Sequence, residues 1–185
     1  MFRLIRRIDD FVVKEISRMY NPILNKIMVF FTLIGNGAFI WWITLSFPFM
    51  IMESTRETGI FLTLALGVTF VSGEFILKPL FRRARPSKSI HKDDMIIKPP
   101  KDHSFPSGHT ASSFTAVTVA VLRCPAYIFL PVIAVALIIS FSRMYLRVHY
   151  FSDVVGGLIL GVFNGTITII LCEQFLSPVL SNLIY

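Results

Sequence analysis

The stretch Ile60–Leu77, IFLTLALGVTFVSGEFIL, decides the fold class, because Glu74 is its only charged residue. A helix needs about 20 mainly apolar residues to cross the hydrocarbon core of a bilayer, and this stretch approaches that length. Four other apolar stretches lie around it: Gly37–Met52, Ala111–Leu122, Ala126–Phe141 and Val154–Cys172. The sequence therefore predicts an all-α, polytopic membrane protein, with residues 1–185 forming one helical domain without linkers or repeats.

The composition points to the membrane and away from nucleic acid. Apolar residues make up 54% of the chain and charged residues 16%, which is unusual for a soluble domain. The net charge is +7, but the basic residues are split between the N-terminus and one loop beside apolar stretches. Anionic lipid is therefore the expected partner. Cys124 and Cys172 lack the spacing of a metal site and are interpreted as small apolar residues.

The N-terminal segment 1–20 mixes basic, acidic and apolar residues, so it contains no uninterrupted apolar core of a signal peptide. Its apolar residues follow helical spacing. This pattern predicts an amphipathic helix that lies on the membrane surface, with its bases near anionic headgroups. A solvated first helix explains the same pattern equally well.

Three polar clusters interrupt the apolar stretches. The first is Lys78–Pro86, at the start of a long polar loop, 78–108. The second is Phe105–His109, where the chain re-enters the membrane, and the third is the segment Ser142–Asp153. The chain turns on the far side, at Arg123–Pro125, between the second and third clusters. All three clusters are therefore expected on the same side of the membrane.

The first two clusters supply groups that bind an anion. Lys78 and Arg85 are seven residues apart, about two helical turns, so a continuous helix would place both cations on one face. Ser107, Gly108 and His109 are predicted at the N-terminus of the next helix. Free backbone N–H groups and the helix dipole favour a negatively charged ligand there.

The third cluster adds a cation, Arg143, and a second histidine. His149 and Asp153 stand at i and i+4, so the carboxylate can hold the imidazole in one orientation. Cations, helix N–H groups, two histidines and a carboxylate are what phosphoryl transfer needs, since its catalysis is largely positioning and electrostatic stabilisation. The acidic residues are not grouped as a two-metal site would require, so we expect neither a metal nor a cofactor.

Taken together, the three clusters resemble the signature of the type-2 phosphatidic acid phosphatase superfamily. The resemblance covers about residues 78–153, and every signature position matches. The matching motifs are Lys78-x6-Arg85-Pro86, Pro106-Ser-Gly-His109 and Ser142-Arg143-x5-His149-x3-Asp153.

The resemblance implies a role for each signature residue. His149 would attack phosphorus and form a phosphohistidine, and Asp153 would fix the tautomer of His149. His109 would protonate the leaving oxygen and later activate water. The remaining residues would bind the phosphoryl oxygens: Lys78, Arg85, Ser107, Gly108 and Arg143.

Several other polar residues have a structural and a functional interpretation. Glu74, four residues before Lys78, is expected to pair with a cation rather than to catalyse. His91 and His103 are expected to be structural or to face the substrate. Gly35–Gly37 predicts a turn that could also line a lipid entrance. The remaining loop bases either attract an acidic headgroup or form a solvated surface: Arg82, Arg83, Lys88, Lys92, Lys98 and Lys101.

The topology has two versions, which differ in the fate of segment 23–34. If this segment crosses the membrane, there are about six crossing helices and both termini lie opposite the active site; this is the preferred version. If it only dips into the interface, five helices cross and the N-terminus shares the catalytic side. A basic N-terminus favours a cytoplasmic location, which in the six-helix version puts catalysis outside the cell.

The sequence thus predicts a metal-independent lipid phosphatase of the cell membrane. The preferred substrate is undecaprenyl diphosphate, because the chain resembles compact bacterial enzymes that recycle this carrier. Phosphatidylglycerophosphate and phosphatidic acid are close alternatives, and a non-catalytic lipid binder or transporter is an alternative of another class. A vanadium haloperoxidase would share the site but has no use for membrane helices. No obligate protein partner is expected.

Overall fold

The computed structural model describes residues 2–89, 95–98 and 100–184, and these contain helices and turns but no strand. The helices are named here in chain order: α1 (Phe2–Ser17), α2 (Pro22–Ile34), α3 (Asn36–Ile51), α4 (Glu53–Phe81), α5 (Gly108–Arg123), α6 (Ala126–Tyr145) and α7 (Phe151–Leu180). A wider, π-helical stretch interrupts α4 at Val71–Leu77.

Local sequence explains how α2 begins and ends. The side chain of Asn21 accepts a hydrogen bond from the backbone N–H of Leu24 at 2.8 Å, and Pro22 occupies the first turn, where its missing N–H is not needed. The axis bends by 55° between α2 and α3. Gly37 has a φ of 56° at this bend, a conformation that glycine adopts readily. The predicted turn at Gly35–Gly37 is confirmed.

Helix α5 lies at the centre of the fold. Its small residues pack against α7, where Gly157 and Gly165 allow the two backbones to approach closely. A Cβ atom on Gly157 would lie 2.6 Å from the carbonyl oxygen of Ser107. The main buried core joins α3, α4, α5, α6 and α7, and includes Trp41, Phe61, Leu62, Ala116, Val119, Ile139 and Ile169.

The outer surface of the bundle is apolar. Large side chains more than half exposed include Phe70, Phe75, Leu80, Phe163 and Phe175. Within the described ranges, α4, α6 and α7 are long and apolar enough to cross a membrane, and the bent pair α2 and α3 can form a fourth crossing. The all-α membrane fold is therefore confirmed, whereas the count of six crossings is not.

The expectation that the N-terminus lies on the side opposite the polar loop 78–108 is wrong. Asp9 of α1 lies 2.5 Å from Arg83 in that loop, and it accepts a hydrogen bond from the backbone N–H of Ser152 at 2.9 Å. Helix α2 also stays on this side, because Tyr20 before it bonds to the carbonyl of Tyr145 and Thr32 near its end bonds to Arg143. These contacts match the side on which the five-helix version places the N-terminus. The prediction failed because it placed α1 and α2 from their hydropathy without knowing their partners.

Candidate active site

A cavity of about 490 Å³ opens at the end of the bundle where the three polar clusters meet. One part of its wall is apolar and includes Trp42, Leu66 and Phe70, with Gly35 and Gly37 beside them. The other part is polar. Six of the eight predicted site residues line it: Lys78, Arg85, Gly108, His109, Arg143 and His149. The cavity thus joins a cationic wall to an apolar one, which suits an amphipathic ligand with an anionic headgroup.

The cations Lys78 and Arg85 are both buried and share a carboxylate partner, Asp102. The Nζ atom of Lys78 lies 2.5 Å from Asp102 Oδ2 and 2.5 Å from Glu74 Oε1. Arg85 donates to Asp102 Oδ1 at 2.9 Å and to the carbonyl oxygen of Val148 at 2.8 Å. The predicted pairing of Glu74 with Lys78 is confirmed, and Asp102 adds a second acid that the sequence did not single out.

The environment of Asp102 stabilises its charged form. Burial opposes ionisation, but hydrogen bonds and charge from Lys78 and Arg85 outweigh it, so the pKa of Asp102 lies below its ordinary value. The side chain is nevertheless 41% exposed. Asp102 thus places an anion against both cations while remaining accessible from outside.

His149 is buried, with 2% of its surface exposed, between α6 and α7. Its Nε2 atom lies 2.9 Å from Nη1 of Arg85. Because a guanidinium only donates, Nε2 is the acceptor and the proton of a neutral ring sits on Nδ1, which faces Asp153 Oδ2 at 3.6 Å. Burial lowers the pKa of His149, and the charges of Arg143, Arg85 and Lys78 lower it further. The ring is therefore neutral at pH 7, with a lone pair on Nε2.

His109 lies at the start of α5 and faces the end of α2. Its Nε2 atom is 3.1 Å from the carbonyl oxygen of Thr32 and 2.9 Å from Asn36 Oδ1. The carbonyl oxygen only accepts, so Nε2 carries a proton. Arg143, buried at the end of α6, donates to the hydroxyl oxygen of Thr32. The end of α2 therefore contacts two predicted site residues that come from different helices.

The other two predicted residues, Ser107 and Asp153, do not line the cavity but lie behind it. Both are fully buried, and the backbone N–H of Ser107 donates to the carbonyl oxygen of Asp153 at 3.0 Å. Gly108 follows Ser107, and a Cβ atom at Gly108 would lie 3.0 Å from Glu74 Oε1. Ser107 and Asp153 thus join the starts of α5 and α7.

Two charged residues behind His149 were missed as site residues. Arg83, interpreted from sequence only as a headgroup-attracting or solvated base, bonds to Asp153 Oδ1 at 2.6 Å and to Asp9 Oδ2 at 2.5 Å. Asp9 is one of the acidic residues of the N-terminal segment 1–20. The sequence does contain a signal for the burial of Asp9. This residue follows Ile5 by four positions and precedes Val12 by three, so it lies on the same helical face as these apolar residues.

Other sequence predictions have mixed outcomes. His91 and Lys92 lie outside the described residues. His103 lies beside the site and accepts a hydrogen bond from Arg85 through its backbone carbonyl at 3.1 Å. Among the residues that the structure describes, no group of three or more His, Cys, Asp or Glu side chains could hold a metal ion.

Comparison of the sequence with known proteins shows matches to one family. A family model described as the PAP2 superfamily matches residues 57–175, more than half of the chain. The chain is similar to an undecaprenyl-diphosphatase of Sulfolobus acidocaldarius, with 32% identity over 77% of this chain and 68% of the relative. It is also similar to an undecaprenyl-diphosphatase of Bacillus subtilis, with 28% identity over 79% of this chain and 74% of the relative.

The fold has a counterpart among solved structures. A transmembrane PAP2-type phosphatidylglycerolphosphate phosphatase from Bacillus subtilis superposes with a TM-score of 0.75 at 22% identity, over 93% of this chain and 88% of the other. This likeness shows that the two chains share a fold.

Proposed function

We propose, from the premise that the chain belongs to the PAP2 superfamily and is a phosphoric ester hydrolase, that it dephosphorylates undecaprenyl diphosphate through a phosphohistidine. One observation carries this proposal: His149 lines a cavity with cations on one wall and apolar side chains on another, and its Nε2 lone pair accepts from one of those cations, Arg85. The relative with 32% identity, an undecaprenyl-diphosphatase, supports the choice of substrate.

The terminal phosphoryl group binds among Lys78, Arg85 and Arg143. Its oxygens replace the carboxylate of Asp102 as partners of Lys78 and Arg85, because both are anions that accept from the same donors. The first turn of α5, at Gly108, adds backbone N–H groups. Asp102 therefore marks where phosphoryl oxygens bind, and the lipid tail follows the apolar wall.

In the first chemical step, Arg85 turns its Nη1 donor from Nε2 of His149 to a phosphoryl oxygen. Nε2 then forms a bond to phosphorus while the bond to the leaving oxygen breaks. His109 enters this step as an imidazolium and donates one of its two N–H protons to that oxygen, so undecaprenyl phosphate leaves and His109 becomes neutral. The imidazole ring gains positive charge as the N–P bond forms. Asp153 stabilises that charge through the Nδ1 proton.

In the second step, water attacks phosphorus and the N–P bond breaks. His109, now lacking the donated proton, accepts one from the water, and inorganic phosphate forms. His149 recovers its lone pair on Nε2. Side chains of the protein supply the charges and carry out the proton transfers of these two steps. We therefore expect turnover in the presence of a chelator.

The experiment is phosphate release by the purified full chain from a panel of lipids, each with and without EDTA. The panel contains undecaprenyl diphosphate, phosphatidylglycerophosphate and phosphatidic acid. We expect the diphosphate to give the highest kcat/KM and EDTA to have little effect. His149→Ala should lower release by about a thousandfold or more, whereas His103→Ala is the matched control with only its backbone carbonyl at the site.

Three results would contradict parts of this proposal. A higher kcat/KM for a glycerophospholipid would contradict undecaprenyl diphosphate as the substrate. Loss of activity with EDTA would contradict the metal-free mechanism. Lipid binding without release of phosphate from any panel member would favour a binder or transporter.

We also propose that the catalytic side faces the outside of the cell, as the family resemblance implies for carrier recycling. The basic residues of α1 lie on the same side as the site. The positive-inside rule, applied to these residues, would place that side in the cytoplasm. Cys124, between α5 and α6 at the opposite end, distinguishes the two. Protection of Cys124 from a membrane-impermeant maleimide in intact cells, with labelling after lysis, would support the proposed orientation; labelling in intact cells would reverse it.

A further inference from the structure

Asp9 is the buried carboxylate of α1, whose other two acids are exposed (Asp10) and half-buried (Glu15). Its side chain is 1% exposed and accepts hydrogen bonds from three donors. These are the backbone N–H of Ser152 at 2.9 Å, the hydroxyl of Ser152 at 2.7 Å and the guanidinium of Arg83 at 2.5 Å. A buried carboxylate is expensive unless its oxygens are satisfied, and here both are.

Arg83 connects Asp9 to the catalytic carboxylate. Its Nη2 atom bonds to Asp9, while Nη1 bonds to Asp153 Oδ1 at 2.6 Å and to the hydroxyl oxygen of Ser152 at 2.6 Å. The guanidinium also stacks over the ring of Tyr150, 4.4 Å from its centroid. A fork of two donor nitrogens thus bridges two carboxylates that are 144 residues apart in sequence.

The net charge of Asp9, Arg83 and Asp153 sets the electrostatic field that these residues produce at His149. With Asp9 in place, two carboxylates face one guanidinium, so the group carries a net negative charge behind the imidazole. Without Asp9, Arg83 would be compensated by Asp153 alone, and the field of Asp153 at His149 would be largely cancelled.

We propose that Asp9 of α1 is a positioning residue for catalysis, which neutralises Arg83 so that Asp153 remains a negative partner for the nucleophile His149. This inference rests on the proposed function of His149. It gives the N-terminal helix a part in the reaction beyond contact with the membrane surface. The contribution is largest when the N–P bond forms, because the ring is then most positive.

The groups facing His149 set the direction of the effect. Arg85 and Lys78 contribute positive charge from the loop and α4, Arg143 from α6, and His109 lies on α5; Asp153 is the facing anion, on α7. Removing the Asp9 charge leaves these groups in place, but the positive charge of Arg83 then offsets the negative charge of Asp153 at His149. The imidazolium is then less stable, so protonation of His149 moves to lower pH.

The test is the pH dependence of phosphate release by the full chain in detergent micelles, from whichever lipid of the panel wild type hydrolyses fastest. In Asp9→Asn we expect kcat to fall about tenfold, KM to change less than about twofold, and the acid limb of kcat/KM to move down by about half a pH unit. Asp10→Asn is the matched control, since Asp10 is the exposed neighbour on the same helix, and it should behave as wild type.

Arg83→Gln provides an independent arm. It leaves Asp9 and Asp153 both negative, so the acid limb should move to higher pH, opposite to Asp9→Asn. A merely structural anchor lowers the active fraction at every pH and moves neither limb. Thermal unfolding of each variant identifies the folded ones, and the sign of the shift in either folded variant decides the question.

The outcomes separate this inference from the proposed function. Phosphate release by wild type with acid limbs that coincide in Asp9→Asn and Asp10→Asn would overturn the positioning role and leave the phosphatase intact. No release from any panel lipid would overturn the proposed function, and the positioning role would fall with it.

Discussion

Two clusters of carboxylates and cations flank His149, and they differ in how far solvent reaches them. The front cluster is Asp102 with Lys78 and Arg85; the rear cluster is Asp9 and Asp153 with Arg83. Both rear carboxylates are at most 1% exposed, whereas Asp102 is 41% exposed. Removing one partner of a buried pair leaves an uncompensated charge, whereas a solvated carboxylate can exchange its partners at little cost. The rear cluster therefore holds a fixed charge, and the front cluster can exchange a carboxylate for phosphate.

The largest effect is expected from a substitution of Asp153, the carboxylate of the rear cluster that lies next to His149. Asp153→Asn removes the charge next to His149 and presents an amide to Arg83 and to the N–H of Tyr150. We expect kcat to fall about a hundredfold or more with little change in KM. The fall in kcat is measured by phosphate-release kinetics. Ser152→Ala is the control, because it alters the same cluster but keeps every charge. Retention of more than a tenth of wild-type kcat would contradict the role of Asp153.

Arg85→Lys tests the front cluster at the residue that contacts the nucleophile. Lysine keeps the charge but cannot reach Val148, His149 and Asp102 together, as the guanidinium does. We expect kcat/KM to fall about thirtyfold, with both kcat and KM affected. Arg82→Lys, in the same loop but exposed, is the matched control. Equal kinetics in the two variants would remove Arg85 from the phosphate site.

A smaller effect of the opposite sign is expected for Asp102→Asn. The amide is a weaker competitor for Lys78 and Arg85 than the carboxylate, so phosphate should bind more tightly. We expect the inhibition constant for inorganic phosphate to fall about threefold to tenfold while kcat changes little. Unchanged or weaker inhibition would mean that phosphate does not replace the Asp102 carboxylate.

The smallest effect concerns stability and pH. The pKa of Asp102 is lowered on folding, so the carboxylate stabilises the protein above its unfolded pKa of about 3.9, and this stabilisation is lost as pH falls through the lower folded value. At pH 7 we expect wild type to unfold about 1–3 °C above Asp102→Asn, because the pair is partly solvated. Melting curves in detergent should show the gap closing below about pH 4; a gap independent of pH would exclude an electrostatic origin.

The sequence predicted the features that depend on neighbouring residues. Apolar stretches located the bundle helices, and Gly35–Gly37 predicted a turn. The i, i+4 spacing of His149 and Asp153 predicted that the two side chains face each other, as they do at 3.6 Å, but His149 lies two residues before α7 begins and not on its face. Gly157, Gly161 and Gly165, which recur every four residues in the sequence, pack closely against α5. These are local properties, since helical periodicity and turn geometry act over a few residues.

Only the tertiary structure decided which distant charges meet. Asp9 reaches Arg83 and Ser152, Asp102 reaches Lys78 and Arg85, and α1 lies on the catalytic side. No local pattern fixes these pairings, because an acid on an amphipathic helix or in a polar loop has many possible partners of equal charge. The choice follows from which helices pack together and from the cost of burying a carboxylate without its donors.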